Sequence, residues 1–558
     1  MIKKNNITVV IFLFSLTILI ISLGGWIAYS TDEQKPDYYF EINKNMSVFG
    51  KVYEEITNRY VEVIEPEKFM KAGIYGMLET LDPYTVFIEK EENEELQIIT
   101  HGKYGGVGMR ISKRGDYPSV VEPPFDGTPS AKAGIREGDQ IIEVDGVNTK
   151  ELSVSDTANK LRGKPGTDVS VKIQRIGENT VLEFRLIREE IKVEEITYSD
   201  IIKDDIGYIR LAHFSRDAGQ QMRDAIVALK EKGMEKLILD LRGNPGGLLE
   251  SAVSVADNFL AKGNKIVATK GKAAGTNKEY ISENDPIWGT APLAVLVDTI
   301  SASASEIVAG AIQDLDRGII IGSPTFGKGL VQTVIPINKE TALKITTAKY
   351  YIPSGRLIQK PQIYEDPDVL LSNNFAQDST AVFRTLNGRS VRGSGGIIPD
   401  VRIKPEQMPL VVRHLIMKSM FFNFSLEYAA KHPDLDPSFT IEDGVIDEFK
   451  TFLHNKNFSY KTPEEMNLEE IKEIIEERGY TAESTKPISD LQHVLDRQKE
   501  QDFDANLDII KMYLKSEIVG KLWGTAARVK VGLEKSDEVA KAIEILSNES
   551  AYNKMLNN

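Results

Sequence analysis

The sequence predicts a multidomain protein of the α/β class, in which helical regions flank an α/β core. Three observations support this prediction. Apolar runs typical of buried strands alternate with helical segments and glycine turns through residues 193–403. An apolar stripe at helical spacing lies before residue 102, and charged amphipathic segments follow residue 404. At 558 residues the chain is long enough for three or four domains.

Composition excludes several functions. The net charge of −15, with no basic arm or face, argues against nucleic-acid binding. The chain has no cysteine, which excludes a thiol nucleophile, a disulfide framework and cysteine-ligated zinc. None of the 6 histidines pairs with another at metal-ligand spacing, so we expect neither a metal nor a cofactor.

Residues 1–30 predict a membrane anchor. Lys3 and Lys4 precede Ile7–Tyr29, which carries no charge and as a helix would cover ~34 Å, enough to span a bilayer. The lysines place the N-terminus inside, so we expect a single-pass inner-membrane protein with the rest of the chain on the periplasmic or extracytoplasmic side. A cleavable signal peptide is the alternative, because Ala28–Ser30 has small residues where a signal peptidase cuts.

Residues 31–102 predict an N-terminal helical region. One helix carries an apolar stripe from Ile42 to Tyr60, and a second begins near Pro66 and ends before Asp82. Such an amphipathic pair cannot bury both apolar faces alone. We therefore expect it to pack on the core or on a partner chain, either a second copy or an adaptor protein.

Residues 103–192 predict a small domain of strands and one short helix. A glycine-rich turn, Tyr104–Met109, enters a strand, and Ala133–Asp139 precedes another strand that ends at Gly146. Val154–Leu161 then predicts a helix. This pattern resembles a PDZ domain. The resemblance implies that a peptide adds as a strand beside that helix.

The glycine-rich turn is the candidate binding site of this domain. The resemblance implies that its backbone N–H groups hold the terminal carboxylate of a peptide, and the residues that supply them are Gly106, Val107, Gly108 and Met109. Arg162, after the helix, is a candidate relay of groove occupancy. A PDZ-like spacer that binds no ligand remains the alternative.

Residues 193–403 predict the α/β core and its candidate chemistry. The strand Lys236–Asp240 runs into a turn that contains Gly246 and Gly247, an arrangement that exposes N–H groups at a helix start. A second apolar strand ends at Asp298, and the small residues Ser301–Ser305 then turn the chain into a helix. A single lysine follows in the loop Phe326–Gly329. A serine at such a turn and one lysine form a plausible nucleophilic pair, although both segments could be ordinary tight turns.

The segment Ser301–Gln332 resembles the carboxyl-terminal processing, or tail-specific, serine proteases. Their motif is S-A-S-A-S-E, then an Asp late in the helix, then T-F-G-K-G-x-V-Q, and this chain matches it throughout. The resemblance implies an α/β (crotonase-like) protease core. It also implies roles for six residues, namely the nucleophile Ser303, the base Lys328, its orienting residue Gln332, the oxyanion donors Gly247 and Ala304, and a structural Asp314.

The remaining segments carry less information. About 359–394 predicts a surface insertion, and Gly395–Asp400 resembles the closing signature of the same family. Residues 404–558 predict a helical C-terminal domain that binds a partner or another copy. His213 is expected to be a packed or edge histidine rather than a catalytic base.

The sequence therefore predicts a membrane-anchored, PDZ-gated serine endopeptidase that recognises the C-terminal ends of proteins. A non-catalytic, membrane-tethered PDZ scaffold on an inactive protease core is the alternative from another class. The complete Ser303, Lys328 and Gln332 set argues against that alternative. A trypsin-like protease would need a His and an Asp before a G-x-S-x-G serine, which the chain lacks.

Overall fold

The computed structural model describes residues 35–557 except 90–91, 93–97, 99, 179, 339, 362–380, 394, 405–406, 437 and 480. The chain divides into two compact units, Met1–Leu81 and Asp82–Asn558. Most of the predicted insertion 359–394 lies outside the described residues.

The first unit contains α1 (Lys35–Arg59) and α2 (Pro66–Glu79), with Pro66 at the helix start as predicted. Tyr53 of α1 stacks on Phe69 of α2 with ring centroids 5.5 Å apart. Its hydroxyl donates to the Pro66 carbonyl at 3.1 Å. Much of the predicted apolar stripe is exposed, since Met46 retains 61% of its accessible surface.

The predicted location in the inner membrane needs correction. Among the residues that the structure describes, no helix is both long and apolar enough to cross a bilayer. A single-pass membrane protein with its body on the periplasmic side is therefore not supported. The segment on which that prediction rested, residues 1–30, lies outside the described residues.

The sheet of the small domain after residue 102 has the strand order β3-β4-β5-β7-β8, with β6 beside β5. The first and last strands of the domain, β2 and β9, pair with each other in a separate two-stranded sheet. The helix predicted at Val154–Leu161 has those bounds and begins with a capping box made by Ser153 and Asp156. The elements in order, starting with the short β1 that precedes this domain, are β1 (Val86–Ile88), β2 (Lys103–Gly106), β3 (Ile111–Arg114), β4 (Tyr117–Val120), α3 (Pro129–Lys132), β5 (Gln140–Val144), β6 (Val147–Asn148), α4 (Val154–Leu161), β7 (Asp168–Gln174), β8 (Leu182–Ile187) and β9 (Glu189–Lys192).

The core contains one sheet of six strands and one of five. One has the order β10-β11-β12-β15-β16-β21, and the other has the order β1-β18-β13-β14 with β17 also paired to β18. The elements in order are β10 (Ile196–Lys203), β11 (Ile206–Leu211), α5 (Ala218–Glu231), β12 (Lys236–Asp240), α6 (Leu249–Ala256), β13 (Lys265–Gly271), β14 (Lys278–Ile281), β15 (Leu293–Val297), α7 (Ala304–Asp314), β16 (Ile319–Gly322), β17 (Leu330–Pro336), β18 (Ala342–Tyr351), β19 (Val382–Arg384), β20 (Ser390–Arg392) and β21 (Val401–Arg402).

The first of these sheets brings the chemical segments together. β12 and β15 are parallel neighbours, with Leu239 opposite Val295. Their carboxyl ends therefore lie at one edge, where α/β sheets commonly place their sites. The glycine turn follows β12 and the serine segment follows β15. Because every residue of α7 is buried, the helix that Ser303 precedes is fixed on all sides.

The C-terminal region is helical, as predicted. Thr462 and Glu465 form a capping box at the start of one of its helices, in which the Glu465 N–H donates to Thr462 Oγ1 at 3.2 Å. The helices are α8 (Leu410–Met417), α9 (Met420–Lys431), α10 (Asp443–Asn455), α11 (Pro463–Arg478), α12 (Thr481–Ala505), α13 (Leu507–Leu533), α14 (Asp537–Leu546) and α15 (Glu549–Asn557).

Within the predicted helical domain, residues 410–431 form two helices, α8 and α9, rather than one continuous helix. Ser419, between α8 and α9, has a left-handed φ of 60°. Its hydroxyl accepts a hydrogen bond from Arg114 of the small domain at 2.6 Å. A tertiary contact thus accompanies a break that no Pro or Gly marks in the sequence.

Candidate active site

Ser303 stands between β15 and α7 with φ 54°, a conformation that is strained for a residue other than glycine. The serines on either side hold this turn. Ser301 Oγ donates to the Leu241 carbonyl at 2.8 Å, and Ser305 Oγ donates to the Asn244 carbonyl at 2.9 Å. Both acceptors lie after β12, so the two strand ends are tied together around Ser303.

The turn after β12 packs directly against the nucleophile candidate. A Cβ at Gly246 would lie 2.9 Å from the Ala304 nitrogen and 3.0 Å from Ser303 Cβ, so only glycine fits there. Within the described residues, the N–H groups of Gly247 and Ala304 donate no hydrogen bond. Two unpaired N–H groups, one in the turn after β12 and one at the first residue of α7, can stabilise an oxyanion.

Glu306 joins the serine segment to the lysine loop. Its side chain is fully buried, and its Oε2 accepts the N–H of Ser303 at 2.8 Å and that of Lys328 at 2.9 Å. Its Oε1 accepts the Thr325 hydroxyl at 2.6 Å and the Gly327 N–H at 2.7 Å. Burial raises the pKa of Glu306 to about 7, while these four donors act to lower it.

Tyr350 makes a second link between the same two residues. Its buried hydroxyl contacts the carbonyls of both Ser303, at 3.1 Å, and Lys328. The backbones of Ser303 and Lys328 are therefore held together by one carboxylate and one hydroxyl.

Lys328 has the properties of a base. Burial lowers its pKa from 10.5 to about 8, and the charge of Lys344 adds to this, whereas Asp82 and Glu306 act in the opposite direction. In the described part of the chain its Nζ makes no hydrogen bond, and it lies 4.6 Å from the centroid of the Tyr84 ring. An amine with a pKa near 8 is neutral in a sizeable fraction of molecules at neutral pH.

The other predicted site residues lie around this centre. Gln332, on β17, donates to Thr346 Oγ1 at 3.4 Å, and no hydrogen bond joins it to Lys328 among the described residues. Asp314, at the end of α7, forms a fully buried ion pair with Arg356 at 2.8 Å. Asp314 therefore has a partner of its own and is not among the charges that act on Lys328.

His213 follows β11 and has no hydrogen bond to Ser303 within the described residues. Burial and the charge of Arg110 lower its pKa. His213 is an exposed histidine, and Arg110 of the PDZ-like domain is among the charges that act on it.

The PDZ-like domain has a groove of about 410 Å³ between the segment after β2 and α4, and its lining includes Gly106, Val107, Gly108 and Met109. In the described chain, the N–H groups of Val107, Gly108 and Met109 donate no hydrogen bond. Arg162, also in the lining, lies 5.7 Å from the ring of Tyr104. Consecutive unpaired N–H groups form a cradle that suits a carboxylate.

Three buried residues of the core had no role in the sequence-based prediction. They are Glu306, Tyr350 and Arg356. Glu306 was visible as the last letter of S-A-S-A-S-E, and Arg356 follows a turn sequence after β18. Their contacts depend on distant segments, so spacing along the chain could not assign them.

Residues 205–369 match peptidase family S41, and residues 120–175 match the PDZ domain. Residues 411–546 match the C-terminal helical domain of a probable PDZ-protease, and residues 27–92 match the N-terminal domain of the activating protease CtpB. The chain belongs to the carboxy-terminal processing proteases of family S41, and it is a serine endopeptidase.

Two relatives illustrate this membership. A carboxy-terminal-processing protease of Bartonella bacilliformis is 36% identical over 63% of this chain and 80% of its own length. The carboxy-terminal processing protease CtpB of Bacillus subtilis is 34% identical over 58% of this chain and 67% of its own. The photosystem II D1 C-terminal processing protease structure is 25% identical over 65% of this chain and 93% of that one, with a TM-score of 0.34, too low to bear on the fold.

Proposed function

We propose that this protease hydrolyses peptide bonds with a Ser303–Lys328 dyad and selects its substrates by their C-terminal ends. One observation carries the proposal: a single oxygen of Glu306 accepts the N–H groups of both Ser303 and Lys328. That contact supports a nucleophile and a base held in one fixed arrangement.

The chemistry follows from these groups. Ser303 Oγ attacks the peptide carbonyl carbon while neutral Lys328 Nζ takes the hydroxyl proton, and the N–H groups of Gly247 and Ala304 stabilise the oxyanion. The tetrahedral intermediate then collapses as Lys328 returns the proton to the leaving amine. The product is an ester on Ser303, which water hydrolyses with Lys328 again accepting a proton.

The remaining residues support this centre. Asp314 and Arg356 fix the end of α7, and Gln332 acts through Thr346. In the PDZ domain, the free N–H groups of Val107–Met109 suit a substrate's terminal carboxylate, and the peptide adds as a strand beside α4. Arg162 is the candidate that relays occupancy of this groove.

The test uses the full chain with an unstructured protein as substrate. Ser303→Ala is expected to lower kcat by at least about 1000-fold, as loss of a nucleophile does in other serine proteases. Ser301→Ala is the matched control, because Ser301 donates to a backbone carbonyl, and its kcat should stay within about tenfold of wild type. Full activity of Ser303→Ala would contradict the assignment. Peptide binding by the wild-type chain without any cleavage would favour the non-catalytic scaffold.

A further inference from the structure

The turn Asp82–Thr85, just before β1, is a rigid element. Asp82 and Thr85 are buried, and Asp82 Oδ1 accepts the N–H groups of Tyr84 at 2.9 Å and Thr85 at 3.0 Å. The Thr85 hydroxyl donates to Asp82 Oδ2 at 2.9 Å. Pro83 also restricts the backbone. The position of Tyr84 is therefore set by the backbone around it.

The same turn is tied to the sheet that carries Gln332. The Thr346 N–H donates to Thr85 Oγ1 at 3.2 Å, and Thr346 Oγ1 donates to Asp82 Oδ1 at 3.2 Å. Gln332 Nε2 donates to Thr346 Oγ1 at 3.4 Å. A chain of contacts thus leads from Gln332 through Thr346 to the turn.

The turn presents the Tyr84 ring to Lys328, whose Nζ lies 4.6 Å from the ring centroid. A ring in this position has two opposite effects. The negative face of the ring attracts the ammonium form of the lysine. It also keeps water away, which favours the neutral amine and can move a lysine pKa by several units. Burial is the largest cause of the lowered pKa of Lys328, about 8, and the Tyr84 ring at 4.6 Å is part of the surroundings that bury this amine.

We propose that Tyr84 is a positioning residue of the protease, whose ring shields Lys328 from water on the side of the Asp82–Thr85 turn. Gln332 then acts on Lys328 through Thr346 and this turn rather than by a direct hydrogen bond. The inference rests on the proposed role of Lys328 as the base.

The shielding is measured without relying on activity. The full chain carrying Ser303→Ala is labelled with acetic anhydride across a pH range, and mass spectrometry gives the midpoint at which Lys328 becomes reactive. We expect Tyr84→Ala to raise this midpoint by at least one pH unit, toward the ordinary value for lysine. Tyr84→Phe keeps the ring and should leave the midpoint unchanged.

Two further variants make the test decisive. Thr346→Val removes the hydroxyl that joins Gln332 to the turn, and we expect a smaller upward shift even if Tyr84→Ala does not fold. Tyr351→Ala is the matched control, because the Tyr351 ring lies 4.9 Å from Lys270 Nζ on the same sheet. It should leave the Lys328 midpoint unchanged.

The companion measurement is the pH profile of kcat/KM in the active enzyme. In Tyr84→Ala, the pH at which kcat/KM rises should shift upward together with the labelling midpoint. In Tyr84→Phe it should equal the wild-type value. An unchanged midpoint in both Tyr84→Ala and Thr346→Val would overturn the positioning role and leave the Ser303–Lys328 assignment intact. A midpoint that moves while the limb stays fixed would contradict Lys328 as the base.

Discussion

The protease core and the PDZ domain use unpaired backbone N–H groups in different surroundings. In the core, those of Gly247 and Ala304 lie beside Ser303, where a Cβ at Gly246 would collide with the backbone. In the PDZ domain, those of Val107–Met109 line an open groove of about 410 Å³. The site in the core is closely packed around Ser303, whereas the groove of the PDZ domain leaves room for a peptide.

The two regions also treat charge differently. The core buries Glu306 and the Asp314–Arg356 pair, and each charge has a hydrogen-bonded partner. The groove instead holds Arg162 over the face of Tyr104. Burying charge is unfavourable unless it is paired, so changes in the core should have larger effects than changes in the groove.

The largest expected effect is on stability in the core. Asp314→Ala leaves the fully buried Arg356 without its carboxylate, and we expect the free energy of unfolding to fall by about 3–5 kcal/mol. Urea denaturation measures the change. Asp200→Ala breaks the exposed pair with Lys232 and should cost less than about 1 kcal/mol. An equal decrease in the free energy of unfolding in the two variants would show that the buried Asp314–Arg356 pair contributes no more to stability than an exposed pair.

Glu306→Gln should lower kcat by about 100-fold. The glutamine amide would place an NH₂ group where a carboxylate oxygen now accepts hydrogen bonds from backbone N–H groups, so that donors would face donors. Glu465→Gln is the matched control, because Glu465 occupies the same capping-box position at the start of α11. Steady-state kinetics should give wild-type kcat for that control. A mild effect of Glu306→Gln would mean that the link between Ser303 and Lys328 is dispensable.

Lys328→Met should stabilise the protein by about 2 kcal/mol at pH 7. The folded chain holds Lys328 with a lowered pKa of about 8, whereas an ordinary lysine has a pKa of 10.5. Below pH 8, Lys328 is protonated in both the folded and the unfolded chain, and the folded chain bears the full free-energy cost of burying the ammonium group. Between pH 8 and 10.5 the unfolded state binds more protons, so wild-type stability rises and the gain from methionine disappears. Denaturation at pH 7 and pH 10.5 checks this, and lower stability of Lys328→Met at pH 7 would contradict it.

The smallest expected effect is in the groove. Amidation of a peptide's C-terminus should weaken binding to the Ser303→Ala chain by about tenfold, because the amide lacks the charge that the N–H groups of Val107–Met109 would hold. Calorimetry with paired peptides measures the ratio. Acetylation of the peptide N-terminus is the control and should have no effect. Equal affinity of the acid and the amide would leave the PDZ domain as a spacer.

Much of the fold could be predicted from the sequence because its signals are local. Alternating strands and helices with glycine turns located β12, β15 and α7, and the residue pattern located α4. The break at Ser419 was missed because the residue that contacts it, Arg114, lies in another domain. The membrane location was inferred from the uncharged run Ile7–Tyr29 and the lysines before it, and the described helices do not support it.

Residues of the candidate site could be predicted where one short segment of the sequence contains the reactive side chains. Ser303 and Lys328 lie in one continuous motif, whereas the buried residues Tyr350 and Arg356 reach it from later strands and turns. Tyr84 comes from a turn far earlier in the chain. Tertiary contacts of this kind leave no periodic signal in a single sequence.

The pH dependence of kcat/KM tests the central claim, that neutral Lys328 is the base. We expect activity to rise with pH and reach half its plateau near pH 8, the lowered pKa of Lys328. Ionisation of Glu306, with its pKa raised to about 7, steepens the acid side of that rise. Lys328→Arg should be inactive because a guanidinium keeps its proton, and His213→Asn should leave the profile unchanged. A limb near pH ~6.5 that disappears in His213→Asn would contradict the dyad and indicate a histidine base.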